Sequence, residues 1–191
     1  VAADPLFTVA YTGVNGGLII GVADDPGMHS SQNEQDSRHY AIASKIPMLE
    51  PADSQEAYLY AKTAFEISEK FDTPVFIRLS TRVSHSQSLV ELSDREGSEL
   101  KAYEKNPAKY VMMPGNAIKR HVVVEERQAA LAEYAETSPI NKIEDNGSKI
   151  GVITSGISYM YAKEALGDKV NYLKLGMVYP LPEKLIADFA K

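Results

Sequence analysis

The 191-residue sequence is 44% hydrophobic, with 20 Lys+Arg against 26 Asp+Glu, which suits a soluble globular chain with room for one good core or two small ones. Its formal net charge of -6 speaks against a nucleic-acid or anionic-membrane surface and leaves a small molecule or a protein as partner. Zero cysteines exclude disulfides, thiolate nucleophiles, zinc-thiolate sites and any iron-sulfur cluster held by this chain, and no apolar run approaches the roughly 20 residues that span a bilayer. VAADPLFTVAYTGV has neither a basic n-region nor a cleavage site, so a cytoplasmic location is expected.

Residues 4–14 read as part of a helix, and GGLIIGVAD (16–24) as a strand, a short apolar run bounded by glycines and by Asp-Pro-Gly turn chemistry. A polar segment follows, ending in a helical turn around Arg38 to Ser44; IPMLE (46–50) is a second short strand. Asp53 opens the clearest helix, with Glu56 at the third position as in a capping box. Ala57, Tyr60, Ala61, Ala64, Ile67 and Phe71 then mark one face at helical spacing. Asp72-Thr73-Pro74 stops it, and PVFIRLS (74–80) is another buried strand, ending at residues 81–86.

Residues 93–115 are charged, turn-rich and without a clean period, the composition of a linker. A helix is predicted over 116–136, although Val122-Val123-Val124 would also suit a strand. Ser138-Pro139 ends it, and Glu144-Asp145-Asn146-Gly147 reads as a polar turn. From Lys149 a fresh alternation begins: KIGVITSG as strand and turn, ISYMYAKEAL as helix, KVNYLKL as strand, and a helix from near Pro182. The whole predicts an α/β fold of mostly parallel sheets with flanking helices. Two strands after Lys149 are too few to close a core of that kind, so both ends of the chain read as open.

GVNGG places its glycines between a helix and a strand, the reverse of the order in phosphate-binding loops, and so reads as a helix stop and tight turn. Thr154-Ser155-Gly156 has the right order but reads most simply as a fold turn. DDPGMHSSQNEQDSRHY (24–40) is more informative, because a loop leaving the C-terminal end of a parallel strand lies where such folds bind ligands. Within it Arg38 can grip a substrate carboxylate or hold an acidic neighbour, with the amides, Asn33 and Gln35 among them, orienting a polar ligand. His29, and His85 at the end of another strand, are further candidates. The alternative is a solvated loop, with Asp36 or Ser37 capping the next helix. No triad order, carboxylate pair or metal-ligand spacing marks a catalytic residue or a metal site.

GGLIIGVADDPGMHSSQNEQDSRHYA, KIPMLEPADSQEAY, EISEKFDTPVFIRLSTRVSHS, KYVMMPGNAIKRH, SKIGVITSGISY and KLGMVYPLPEKLI share more than composition with known proteins. In the same order, and over nearly the whole chain, they resemble the indolepyruvate-type alpha subunits of the thiamine-diphosphate-dependent 2-oxoacid:ferredoxin oxidoreductases. The resemblance implies a partial pyrimidine-binding domain over 1–92, a linker with a helical segment over 93–145, and the start of a transketolase C-terminal-like domain over 146–191. It implies oxidative decarboxylation of arylpyruvates such as indolepyruvate to aryl-acetyl-CoA, with ferredoxin taking the electrons, and pyruvate or 2-oxoglutarate as alternative substrates. It further implies a beta subunit as partner, a homo-oligomer formed through the pyrimidine-binding domain, and thiamine diphosphate with Mg2+ and iron-sulfur clusters. In the family these groups are completed by segments beyond this one, so the piece alone is expected to bind none of them strongly and to be inactive. Asn33, Gln35, Asp36, Arg38, His29 and His85 are then expected to line or brace the substrate and cofactor site, or to face another subunit in a non-catalytic assembly role.

Overall fold

The computed structural model describes residues 2–95, 97 and 100–191, so residues 96, 98 and 99 of the expected linker lie outside the described residues. Helix α1 (Ala3–Thr12) stops at Gly13, where φ is +72° and a Cβ would sit 2.4 Å from Asp72 Oδ1; only glycine fits both demands. The N–H groups of Gly17 and Leu18 then donate to Glu69 Oε1 (3.1 Å) and Ser68 Oγ (2.9 Å), which makes GVNGG a helix stop and turn.

Strands β1 (Ile19–Asp24), β2 (Met48–Leu49) and β3 (Val75–Ser80) are mutually parallel in a four-stranded sheet of order β1-β3-β2-β7. The fourth strand, β7 (Met177–Tyr179), runs antiparallel to β2. Period-two alternation divides the strand side chains between two cores. Leu49, Val75 and Ile77 meet Tyr60, Ala64 and Ile67 of α3 (Ser54–Phe71) and Leu131 of α6 (Pro114–Thr137). Met48 and Phe76 on the opposite face meet Ala10 of α1 and Ala41 of α2 (Arg38–Ser44). Each such aliphatic or aromatic side chain, fully buried, contributes about 1.5–3 kcal/mol against exposure.

Helix α3 starts as its cap predicts: the Asp53 carboxylate accepts from Glu56 N at 2.8 Å, while Glu56 reaches back to Ala52 N at 2.9 Å. In α6 the three valines are helical because burial of Val124, Arg127, Leu131 and Ala135 along one stripe outweighs their β-branched preference. The linker region also holds a short helix, α5 (Pro107–Tyr110).

Three assignments change. Residues 81–86, where the strand is expected to end, are not left without structure; Thr81–His85 form the short helix α4, with Val83 N donating to Ser80 Oγ at 3.5 Å. The polar turn begins one residue later than expected, because Lys142–Glu144 form β4. Residues 146–191 contribute three strands and not two. Strands β5 (Gly151–Ser155) and β6 (Asn171–Leu175) pair parallel around α7 (Gly156–Leu166), with β4 antiparallel on β6, and β7 crosses to the first sheet.

The two sheets are tied by polar contacts. Buried Lys174 of β6 pairs with Glu56 at the start of α3. Asn141 Oδ1 accepts the N–H groups of Gly176 (2.9 Å) and Met177 (3.0 Å), and Glu136 of α6 caps α8 (Glu183–Phe189) through Lys184 N and Leu185 N.

Candidate functional site

The parallel strands deliver charged residues to their C-terminal ends. Asp24 ends β1, Glu50 follows β2, and Arg78 lies on β3 on the same face as Phe76, by the alternation that also puts Met48 and Glu50 together. Arg78 is 3% exposed. Its Nε donates to Asp24 Oδ2 at 2.6 Å, its first terminal nitrogen to Glu50 Oε1 at 2.5 Å, and its second lies 3.8 Å from Asp36 Oδ1. A charge taken this far from water persists only when paired and hydrogen-bonded, which this arrangement satisfies.

Asp24 and Asp25 then tether the two ends of the polar loop. Asp25 accepts N–H groups from His29 (2.9 Å), Ser30 (2.7 Å) and Ser31 (2.9 Å) and the Thr81 hydroxyl (2.8 Å). The Ser30 N–H, joined by that of His29, holds the Asp25 carboxyl well below the usual carboxylate range. Asp24 accepts the N–H (2.7 Å) and the hydroxyl (2.6 Å) of Ser37. Ser37 does not cap α2 with its side chain, since it turns its hydroxyl to Asp24, whereas Asp36 Oδ1 accepts the N–H of Arg38, the first residue of the helix, at 3.1 Å.

Between the tethers the loop covers a cavity of about 740 Å³, lined by Asn33, Glu34, Gln35, Asp36, Ser37 and Tyr40 and floored by Val22 to Asp24. Three of the six candidate residues, Asn33, Gln35 and Asp36, therefore come together. Arg38 holds its acidic neighbour, donating Nε to Asp36 Oδ1 and a terminal nitrogen to Asp36 Oδ2, both at 2.8 Å, with its side chain 47% exposed. Those hydrogen bonds draw the Asp36 carboxyl down to about 2 and raise the Arg38 guanidinium. His29 stands at the other tether, its ring folded over Gly27, and His85 ends α4; neither lines the cavity. Among the described residues no group of three or more His, Cys, Asp or Glu could hold a metal ion.

Ser37 entered the sequence reading as a loop residue and helix cap, whereas Asp24, Glu50, Arg78 and Tyr40 escaped it. Their one legible signal is a lone arginine inside PVFIRLS and a lone glutamate after IPML, opposite charges in two runs otherwise fit for burial. Thr154-Ser155-Gly156 is the fold turn it was read as: the N-terminus of α7 is met by the Glu50 carboxylate, with Ser155 Oγ donating to Oε2 at 3.4 Å. A Cβ on Gly156 would lie 2.6 Å from Glu50 Oε1.

Fold and loop together define an α/β protein with a polar cavity at the carboxyl ends of a parallel sheet, the position at which such sheets hold ligands. Residues 22–157 match the family described as pyruvate flavodoxin/ferredoxin oxidoreductase, thiamine diphosphate-binding. The chain is 43% identical to indolepyruvate oxidoreductase subunit IorA of Archaeoglobus fulgidus and 45% identical to that of Pyrococcus horikoshii, over 99% of its own length. It spans 31% of the length of each. The fold also matches a 2-oxoglutarate:ferredoxin oxidoreductase from Magnetococcus marinus, solved with 2-oxoglutarate, coenzyme A and succinyl-CoA bound, at a TM-score of 0.62 and 14% identity. That match covers 97% of this chain and 41% of the other. The chain belongs to the thiamine-diphosphate-binding pyruvate flavodoxin/ferredoxin oxidoreductase family.

Proposed function

We propose that this chain forms one wall of the active site of a cytoplasmic oxidoreductase that oxidatively decarboxylates arylpyruvates, indolepyruvate among them, to aryl-acetyl-CoA, with ferredoxin as electron acceptor. The observation that carries the reading is identity above 40% to indolepyruvate oxidoreductase subunits along 99% of the chain, with the polar cavity at the strand ends inside the matched region. Thiamine diphosphate, when bound, supplies the electron sink for the pair left by departing carbon dioxide. The residues of this chain then have to bind, orient and exclude water.

The cavity suits part of that cofactor and not all of it. Asn33 and Gln35 each offer donors and acceptors and Asp36 an acceptor, which fits the edge of an aminopyrimidine or the polar end of a 2-oxoacid. Among the described residues no lysine or arginine lines it, so the diphosphate and its Mg2+ belong to another part of the assembly in this reading, and the iron-sulfur clusters to a cysteine-bearing one. Asp24 is neutralised by Arg78 and Asp36 by Arg38, and the half-exposed Arg38 is the cation placed to meet a substrate carboxylate at the rim. A partner subunit is part of the proposal, because the relatives are themselves named as subunits.

The test is anaerobic, coenzyme-A-dependent reduction of a viologen dye by the full-length polypeptide with its partner subunit. Indolepyruvate and phenylpyruvate are expected to outrun pyruvate and 2-oxoglutarate; preference for either of the latter moves the protein to another branch of the family. A second reading, subunit docking by the same loop, is favoured by the exposure of Met28 (56%), Tyr40 (53%) and Ile42 (55%) beside it. Loop variants that keep full activity but lose the oligomer on size-exclusion chromatography would select it.

A further inference from the structure

We propose that Arg78 is a positioning residue for the polar cavity: through Asp24 it fixes Ser37, and so sets where the segment Asn33 to Ser37 lies over the site. The inference rests on the functional reading above for its kinetic test and on geometry alone for its second test.

The loop is held at few points. Its first end hangs on Asp25, which gathers residues 29–31. Its second end hangs on Asp24, which receives both the backbone N–H and the hydroxyl of Ser37. Among the described residues no hydrogen bond holds Gln32, Asn33, Glu34 or Gln35 themselves. Their placement therefore follows from Ser31 on one side and from Asp36, held by Arg38, and Ser37 on the other, with Ser37 set by Asp24.

Asp24 in turn depends on Arg78. Its carboxylate is buried, and the charged donor on it is Arg78 Nε at 2.6 Å, aimed at the oxygen that also takes the Ser37 N–H. The guanidinium is planar and cannot turn toward Asp24 without turning on Glu50, which takes its neighbouring nitrogen at 2.5 Å. Asp24 is thereby clamped in register with the end of β2, and its remaining lone pairs face Ser37. Burial of such a cluster is a poor route to stability, because well-packed apolar residues commonly do as well, so stability alone does not call for an arginine here. Fixing a loop does. A lysine would keep the charge, but its three donors share one freely rotating nitrogen and cannot hold Asp24 and Glu50 in the fixed planar register that a guanidinium imposes.

The experiment uses the full-length enzyme with its partner subunit and three variants, Arg78→Lys, Ser37→Ala and the double substitution. Each single variant is expected to raise KM for the arylpyruvate by ~3–10-fold with kcat changed less, since the loop orients substrate and does not react. The double variant is expected to be no worse than Arg78→Lys alone, because both act through Asp24. Multiplying effects, or unchanged KM in either single variant, overturns the proposal. Hydrogen exchange reads the same link without substrate: in Arg78→Lys the Ser37 amide should exchange ~10-fold faster or more while Val75 and Ile77 in the core of β3 keep their protection. An equal rise throughout the sheet makes Arg78 merely structural and overturns it, as does an unchanged Ser37. Should the wild-type enzyme turn over no 2-oxoacid, the functional reading fails and the exchange result alone decides the role of Arg78.

Discussion

At the scale of the residue, Arg38 and Asp36 make opposite demands on the cavity. Arg38 is a half-exposed cation of the loop, held by Asp36 through two hydrogen bonds of 2.8 Å. Arg38→Ala in the full enzyme is expected to raise KM for arylpyruvate by ~10-fold or more, the loss of one charge-assisted contact, measured by steady-state kinetics; an unchanged KM removes Arg38 from the substrate side. Asp36 titrates at about 2 in the folded protein against an ordinary 3.8. A depressed folded value means its contribution to stability is complete above 3.8 and is lost as pH falls through about 2. Asp36→Asn should therefore be less stable than wild type at neutral pH, the two curves converging below 3.8 in unfolding titrations; a gap that stays constant down to pH 2 contradicts the assignment. The loop's polarity and its place after a strand were legible in the sequence. The buried charges beneath it were not, because a single arginine in PVFIRLS has no partner until the sheet brings Asp24 and Glu50 beside it.

At the scale of the element, local chemistry was readable wherever one short stretch decides the outcome. Asp53 begins α3 and receives the N–H of Glu56 at 2.8 Å, as the spacing of the two residues predicts. Asp53→Ala should cost about 1 kcal/mol and lower Tm by ~2–4 °C, by differential scanning calorimetry; no shift would mean the cap is not what starts the helix. The strands bounded by Gly or Pro were legible for the same reason. Strands β4 and β7 were not: with three residues each they have no period to read, and they exist because β6 and β2 offer edges for pairing. The short α4 is likewise a product of the Ser80 hydroxyl and its place beside Asp25, neither visible in TRVSH.

For the whole molecule, the junction between the sheets hangs on Glu56 and Lys174, buried to 8% and 4% exposure. Glu56→Gln should destabilise the protein by ~3–5 kcal/mol, because it leaves an ammonium buried without its counter-charge, and pairing it with Lys174→Met should restore much of the loss. Equilibrium urea unfolding of the three variants measures both; additive losses would show that the two residues do not act as a pair.

The ion pairs also differ in how far water reaches them. Raising ionic strength from 0.01 to 1 M shortens the Debye length from ~30 to ~3 Å, which weakens pairs that solvent surrounds and scarcely touches those it cannot enter. Arg38 with Asp36 belongs to the first kind, and Arg78 with Asp24 and Glu50 to the second. Concentrated salt should thus loosen the lip of the cavity while its floor stays set, so that a simple electrolyte series separates the part of the site that yields from the part that does not.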